Sequence, residues 1–179
     1  MNQKLTKTVF TALFMALCCA GTFIHVPSPG TTGYLNLGDC FVVLSGWMLG
    51  PVYGFLAGGI GSAISDLVLS YASYAPATLV IKGCMALVAH FIYKALIKVF
   101  KNKFAFPCII SAFAAEIIMI GGYYLYESLL MSNFASSLAG IAGNSVQGLF
   151  GIIVSVIIMG VLEKTGLKNT FLKNIRQKH

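Results

Sequence analysis

The 179-residue chain is 58% hydrophobic and only 9% charged, with a mean hydropathy of +0.85. A soluble globular domain carries about 25% charged residues, and a soluble core of this size cannot hide so much apolar side chain. These values exclude an ordinary soluble domain and indicate an integral membrane protein with one compact helical domain.

The formal net charge of +7 comes from Lys and Arg in short segments that flank apolar stretches. This pattern is typical of membrane topology rather than of nucleic-acid binding. The five cysteines form no CxxC pair and have no metal-type spacing with histidine, so we interpret them as small apolar residues. No metal, cofactor or nucleic-acid partner is predicted.

Six apolar segments are predicted as membrane helices, since about 20 apolar residues cross the hydrocarbon core. In chain order they cover residues 5–24, 37–49, 51–69, 76–99, 106–126 and 138–162. The second follows a polar, turn-rich loop at 27–36 and is too short to cross unless it is tilted or flanked by ordered loop. The fold class is therefore an all-α bundle of six transmembrane helices over residues 1–163, with a basic cytoplasmic tail over 164–179.

The first segment is long for the apolar region of a signal peptide and lacks a clean A-x-A cleavage site, so we expect it to be retained. Basic residues lie before it, between the fourth and fifth segments, and after the sixth. The loops at 26–36, 70–75 and 128–136 contain no Lys or Arg. With six spans all basic clusters share one face, which predicts that both termini lie in the cytoplasm.

Four of the five acidic residues, Asp39, Asp66, Glu116 and Glu127, fall toward the outer face in this topology. A charge in hydrocarbon costs roughly 2.5–3.5 kcal/mol, so several on one side predict a polar pocket that opens outward. The candidate substrate-binding residues share this level of the bundle. They are Tyr34, Asn36, Asp39, Asp66, Tyr74, Lys82, Glu116, Tyr123, Asn144 and Gln147.

Two readings stay open for the charged members of this set. Opposite charges at similar depth predict an Asp66–Lys82 ion pair, which either stabilises the bundle or binds ligand. Glu116 has no cation at its depth, so it is either neutralised by a proton or accepts a hydrogen bond from a ligand, and we favour the ligand.

The chemistry of the set suits a neutral or cationic nitrogen heterocycle. Tyrosine rings offer stacking faces, although aromatic belts at membrane interfaces are routine. Glu116 and Asp39 accept hydrogen bonds, and Asn144 and Gln147 both donate and accept. Few cations lie near this level, which disfavours a phosphorylated ligand.

Small residues recur about every four positions along two segments, which lets helix backbones approach closely. They are Ala12, Ala16 and Ala20 in the first segment and Gly50, Gly54, Gly58 and Gly61 in the third. We interpret the glycines as internal packing. The alanines lie on a terminal helix and suit either packing or docking of another protein.

Several stretches resemble one family. They are LNLGD at 35–39, GGIGSAISD at 58–66, YAPATLVIKG at 74–83, FAAE at 113–116, GGYY at 121–124 and NSVQG at 144–148. With six spans, the alanine repeat and a long first external loop, the chain resembles the substrate-binding S component of energy-coupling factor (ECF) vitamin transporters. The resemblance is to the subgroup linked to pyridoxine and hydroxymethylpyrimidine uptake. Related S components are associated with queuosine precursors and with riboflavin.

The resemblance implies a bacterial plasma-membrane protein that captures a vitamin from outside, with its first loop closing over the ligand. It also implies association with a membrane T component and two cytoplasmic ATPases, docked on the face formed by Ala12, Ala16 and Ala20. The chain has no Walker A sequence, so the energy for transport is expected from these partners.

Two other classes compete with this interpretation. An autonomous ion-coupled secondary transporter would suit the membrane carboxylates. A membrane enzyme is disfavoured because the chain has no HExxH motif and no nucleophile elbow. The tail is predicted either as a helix on the inner leaflet, with its apolar stripe at Leu167, Phe171, Leu172 and Ile175, or as a charged disordered segment.

Overall fold

The computed structural model describes residues 3–27, 34–100, 104–130 and 134–176, and over these ranges it is mainly helical. In chain order the elements are α1 Gln3–Phe23, β1 His25–Pro27, β2 Tyr34–Asn36, α2 Gly38–Leu49, α3 Pro51–Val68, α4 Ala75–Val99, α5 Ala105–Leu125, a π-helical turn Tyr126–Leu130, α6 Phe134–Lys164 and α7 Leu167–Arg176. The predicted basic turn at 101–103 and most of the first loop lie outside the described residues.

Five of these helices, α1, α3, α4, α5 and α6, are long and apolar enough to cross a membrane. The predicted second span is helical, but α2 has 12 residues. At 1.5 Å per residue it is about 18 Å long, well short of a hydrocarbon core of about 30 Å. The described chain is therefore an all-α membrane bundle with five helices of spanning length and two short ones, α2 and the ten-residue α7.

The short helix α2 lies in the centre of the bundle. Every residue of α2 except Phe41 is buried, and the helix packs against α1, α3, α4 and α6. A helix that is apolar on all sides is expected to be buried in this way. Gly50, with φ of +88°, makes the sharp turn that returns the chain into α3, and Pro51 occupies the first turn of that helix.

The glycines of α2 and α3 allow helix backbones to touch. A methyl group at Gly46 would lie 2.3 Å from the carbonyl oxygen of Ala86, and one at Gly61 would lie 2.6 Å from that of Met15. Gly54 and Gly58 make similar approaches to α2, at 2.9 Å from Gly46 Cα and 2.9 Å from Val42 Cγ1. The packing interpretation of Gly54, Gly58 and Gly61 agrees with these contacts, whereas Gly50 serves the turn. In contrast, Ala12, Ala16 and Ala20 are exposed on the outside of α1.

A small β-hairpin replaces part of what the sequence indicated as irregular loop. Strands β1 and β2 pair antiparallel, with His25 opposite Asn36 and Val26 opposite Leu35. The backbone N–H of Leu37 donates to the carbonyl oxygens of Gly21 (3.1 Å) and Ile24 (3.3 Å), which ties the hairpin to the end of α1. The sequence pattern missed the strands because three residues each are too few to show an alternation.

The tail forms a helix that packs on the bundle. The ring of Phe171 lies 4.4 Å from that of Phe10 and 6.3 Å from that of Phe14, and Ile175 is buried. Leu167, placed in the same predicted stripe, is 54% exposed. The apolar side of α7 therefore meets α1.

The first turn of α7 is fixed by a polar contact. Lys168 Nζ lies 2.6 Å from Glu163 Oε2 and 3.1 Å from the hydroxyl of Tyr93. Burial disfavours the charged ammonium, but these hydrogen bonds outweigh it and raise the pKa of Lys168 above its ordinary value. The contact connects α7 to both α4 and α6.

Candidate binding site

Asp39 lies in the first turn of α2, where the helix dipole favours an anion. Its side chain is fully buried, and it forms an ion pair with Lys82 of α4, which is 2% exposed. Gln147 of α6 donates a second hydrogen bond from Nε2 to Asp39 Oδ2 at 2.6 Å. Three helices therefore converge on one buried carboxylate, whose oxygens are both used.

The predicted ion pair between Asp66 and Lys82 is wrong, because Lys82 pairs with Asp39 instead. Asp66 is also buried, near the end of α3. Depth in the membrane put Asp66 and Lys82 at a similar level, but depth says nothing about position around the bundle. The central place of α2, against both α4 and α6, decides which acid meets Lys82.

Gln147 also connects this charged pair to the hairpin. Its Oε1 accepts from the backbone N–H of Asn36 at 2.8 Å and from Asn36 Nδ2 at 3.3 Å. Asn36 Oδ1 in turn accepts from the N–H of Gly38 at 2.8 Å, at the start of α2. A continuous chain of hydrogen bonds thus runs from β2 through Gln147 to Asp39 and Lys82.

Glu116 of α5 is 2% exposed, and within the described residues neither of its carboxyl oxygens has a hydrogen-bond partner. It faces two glycines of α6. A methyl group at Gly151 would lie 2.6 Å from Glu116 Oε1 and 3.1 Å from Asp39 Cβ, and one at Gly148 would lie 3.2 Å from Glu116 Cβ. Glu116 and Asp39 therefore approach the same stretch of α6. A buried carboxyl group without partners is costly and requires an explanation.

Tyr123 borders the charged group from α5. The ammonium of Lys82 lies 5.5 Å from the centre of the Tyr123 ring, within the range of a cation–π contact. The Tyr123 hydroxyl lies 3.0 Å from Thr78 Oγ1. This places an aromatic face beside the ion pair.

Tyr74 belongs to a neighbouring group at the junction of α4 and the π-helical turn. Its hydroxyl donates to Glu127 Oε1 at 3.0 Å, and its ring packs 6.4 Å from Tyr123 and 5.6 Å from Tyr126. Tyr123 therefore joins the two groups. Glu127 is buried and is absent from the predicted binding set, although the π-helical turn that carries it is a feature often found at functional sites.

The structure thus brings most of the predicted set into two adjoining groups. The first contains Asn36, Asp39, Lys82, Glu116, Tyr123 and Gln147. The second contains Tyr74, which binds Glu127. Asn144 is half-buried on α6, three residues before Gln147, and the side chain of Tyr34 lies outside the described residues.

Sequence reasoning missed Gly148 and Gly151, whose missing side chains leave room for Glu116. The signal that could have identified them is their spacing of three, which begins directly after the polar NSVQ stretch. Within the described residues, no three His, Cys, Asp or Glu side chains come together as a metal site.

The arrangement combines a satisfied ion pair, an aromatic face and one carboxyl group with unused capacity to accept hydrogen bonds. These hydrogen-bonding groups and the aromatic face suit the binding of a small polar ligand. A ligand that donates N–H or O–H groups would satisfy the buried oxygens of Glu116.

Comparison with known proteins agrees with this chemistry. The family model described as "ECF-type riboflavin transporter, S component" matches residues 2–164. The thiamine precursor transporter HmpT of Lactococcus lactis subsp. cremoris (strain MG1363) is 26% identical over 175 residues, 96% of each chain. A protein of Pyrococcus woesei, named only as an uncharacterized protein in the gap 3′ region, is 30% identical over 141 residues, which is 79% of this chain and 90% of that protein.

Proposed function

Because the chain belongs to the family of S components of ECF-type riboflavin transporters, we propose that it is the high-affinity binding subunit of an importer for a small nitrogen heterocycle. As a family member it is a membrane-embedded, vitamin-type substrate-binding subunit and not an enzyme. The first-choice ligands are hydroxymethylpyrimidine and a B6 vitamer such as pyridoxine, and a queuosine precursor is the second choice.

The observation that carries the proposal is the buried, unsatisfied carboxyl group of Glu116. It approaches the same stretch of α6 as Asp39, whose partner Lys82 lies against the ring of Tyr123, so polar and aromatic groups are close to it. The neutral, donor-bearing rings of the proposed ligands carry amino or hydroxymethyl groups. Such groups would donate to Glu116 while the ring lies against a tyrosine.

The ligand class is supported by chemistry more than by the family name. The family model is named for riboflavin, whereas the relative that covers nearly the whole chain is named for a thiamine precursor. Members of such a family therefore differ in ligand. The pyrimidine half of thiamine is a precursor with an amino and a hydroxymethyl group, which matches acceptors such as Glu116.

The residues of the proposed site would have different roles. Glu116, Asn144 and Tyr123 would contact the ligand, and Tyr74 and Asp66 would line the outer approach. Asp39, Lys82, Asn36 and Gln147 already bind one another and would shape the wall of the site. Tyr34 belongs to the proposed set through its place on β2.

Transport would require partners of the kind that ECF S components use, a membrane T component and two cytoplasmic ATPases. In this proposal both termini lie in the cytoplasm, and the exposed alanines of α1 form the docking face. The lysines near both chain ends would then face the anionic inner leaflet.

Mass spectrometry of small molecules that co-purify with the detergent-solubilised protein tests the proposal. A retained hydroxymethylpyrimidine, B6 vitamer or deazaguanine is the expected result, and calorimetry with that compound should then give saturable binding. Retained riboflavin would replace the proposed ligand class but keep the binding-subunit function. If nothing is retained and none of these compounds raises the melting temperature, the binding-subunit proposal fails.

One observation favours a second candidate function. The Asp39–Lys82–Glu116 group is a buried set of ionisable side chains of the kind that secondary transporters use for ion coupling. An autonomous ion-coupled transporter would accumulate substrate in vesicles that contain only this chain and an ion gradient. An S component would bind ligand under the same conditions without accumulating it.

A further inference from the structure

We propose that Gln147 is a positioning residue that latches the β-hairpin to the buried Asp39–Lys82 pair, rather than a ligand contact. Gln147 is 4% exposed, and both ends of its amide group already bind the protein itself. Its oxygen accepts two hydrogen bonds from Asn36, and its nitrogen donates to Asp39. Little hydrogen-bonding capacity remains for a ligand.

The latch has few supporting contacts. The two strands are three residues long each, and a two-stranded hairpin of this size is marginal by itself in water. Hydrogen bonds from Leu37 hold its base to the end of α1. On the other side, Gln147 reaches the hairpin from α6 at Asn36.

The surrounding surface is suited to separation of the hairpin from α6. A groove of about 380 Å³ runs between them, lined by Val26, Leu35, Val146, Phe150 and the Asn36–Gln147 contact itself. Val26 is 65% exposed and Phe150 is 56% exposed, so apolar packing across this groove is incomplete. The polar contact at its floor therefore carries much of the attachment.

The Gln147 amide also connects the hairpin to the buried Asp39–Lys82 pair. The Gln147 nitrogen binds Asp39 Oδ2, while Lys82 binds the other oxygen of the same carboxylate. Any rearrangement of Asp39 therefore changes the donor side of Gln147, and through it the hold on Asn36. A ligand would enter and leave the site beside Glu116 and Asp39 when the hairpin opens, a step that rests on the proposed function.

The first test needs no ligand. Gln147→Met keeps the shape of the side chain but removes both hydrogen-bonding groups. We expect hydrogen–deuterium exchange to accelerate about tenfold at the amides of Val26 in β1 and of Leu35 and Asn36 in β2, the change expected for the loss of about 1.4 kcal/mol. Ser145→Ala is the matched control, since the Ser145 hydroxyl donates to Ile141 O within α6.

Acceleration confined to the Asn36 amide, with β1 unchanged, would overturn the latch, because that amide loses its acceptor in any case. A second variant approaches the contact from the hairpin. Asn36→Asp keeps the oxygen that accepts from Gly38 but replaces the Nδ2 donor to Gln147. The backbone N–H of Asn36 still reaches Gln147 Oε1, so the same amides should accelerate, but by less than in Gln147→Met. Normal protection of β1 in both variants contradicts the proposal.

A second measurement uses ligand kinetics with hydroxymethylpyrimidine or pyridoxine as the probe, whichever binds. A latch variant should bind and release the probe several-fold faster with little change in Kd, since both directions pass through hairpin opening. A ligand contact would instead raise the release rate and Kd together. Failure of both probes to bind wild-type protein would count against the proposed ligands, whereas the exchange experiment would still decide the latch.

Discussion

Glu116 differs from the other buried charged residues because the protein supplies it with no hydrogen bond within the described residues. Asp39 and Lys82 satisfy each other, and removal of one partner would leave an uncompensated buried charge, which typically costs about 3–5 kcal/mol. Substitutions at that pair would therefore lower stability, and an effect on ligand binding could not be separated from it. Glu116 allows a cleaner test.

Glu116→Gln should weaken ligand binding at least about tenfold, because hydrogen bonds to an ionised acceptor contribute roughly 1.5–3 kcal/mol. The glutamine has the same shape, so expression and elution in detergent should stay normal. Calorimetry with the co-purified ligand measures the effect. Unchanged affinity would remove Glu116 from the site.

Gly151→Ala should act on the same carboxyl group from the opposite helix. The added methyl would lie 2.6 Å from Glu116 Oε1 and 3.1 Å from Asp39 Cβ, so the end of the Glu116 side chain must move and Asp39 must shift by a few tenths of an ångström. We expect an affinity loss of about tenfold, of the order of one charge-assisted hydrogen bond, with a small change in melting temperature. Gly121→Ala is the control, since a methyl there meets none of the described atoms within 4 Å. Equal binding by the two variants would contradict the proposed placement of the ligand.

At the scale of elements, the short α2 organises the bundle. Its apolar surface and its glycine contacts with α3 and α4 place Asp39 at the meeting point of α4 and α6. The long helices and the glycine stripe could be predicted from hydropathy and spacing, because those signals are local. The Asp39–Lys82 pair could not, because it depends on which helices surround α2. The Gln147–Asn36 contact likewise joins residues 111 positions apart, with no local pattern to mark it.

Helix α7 provides a test of an element that the sequence left undecided. Phe171→Ala removes the ring that packs on Phe10 and Phe14, and the half-buried position should cost about 1–2 kcal/mol, less than the 3–5 kcal/mol of a fully buried ring. The helix should detach more often, and trypsin should cut faster after the exposed Lys173. Leu167→Ala, at a position that is 54% exposed, should leave the cleavage rate unchanged. Equal cleavage in both variants would mean that the Phe171 contact does not hold α7.

At the scale of the whole molecule, the proposed orientation follows from three basic clusters and three loops without Lys or Arg. In a cysteine-free variant, Ala72→Cys, between α3 and α4, should react with a membrane-impermeant maleimide in intact cells. Lys98→Cys, at the end of α4, should react only after permeabilisation. The reverse labelling pattern would show that the protein has the opposite orientation in the membrane.

The outer surface of α1 should decide whether the bound ligand is ever transported. Ala12, Ala16 and Ala20 are exposed, and small side chains let a second helix backbone approach closely. Ala16→Leu places three additional heavy atoms in that path, so co-purification with the T component and the ATPases should fall while ligand affinity remains. Ala95→Leu makes the same change at an exposed position of α4 and should assemble normally. Normal assembly of Ala16→Leu would show that the alanines face lipid, and the docking surface would have to lie on another helix.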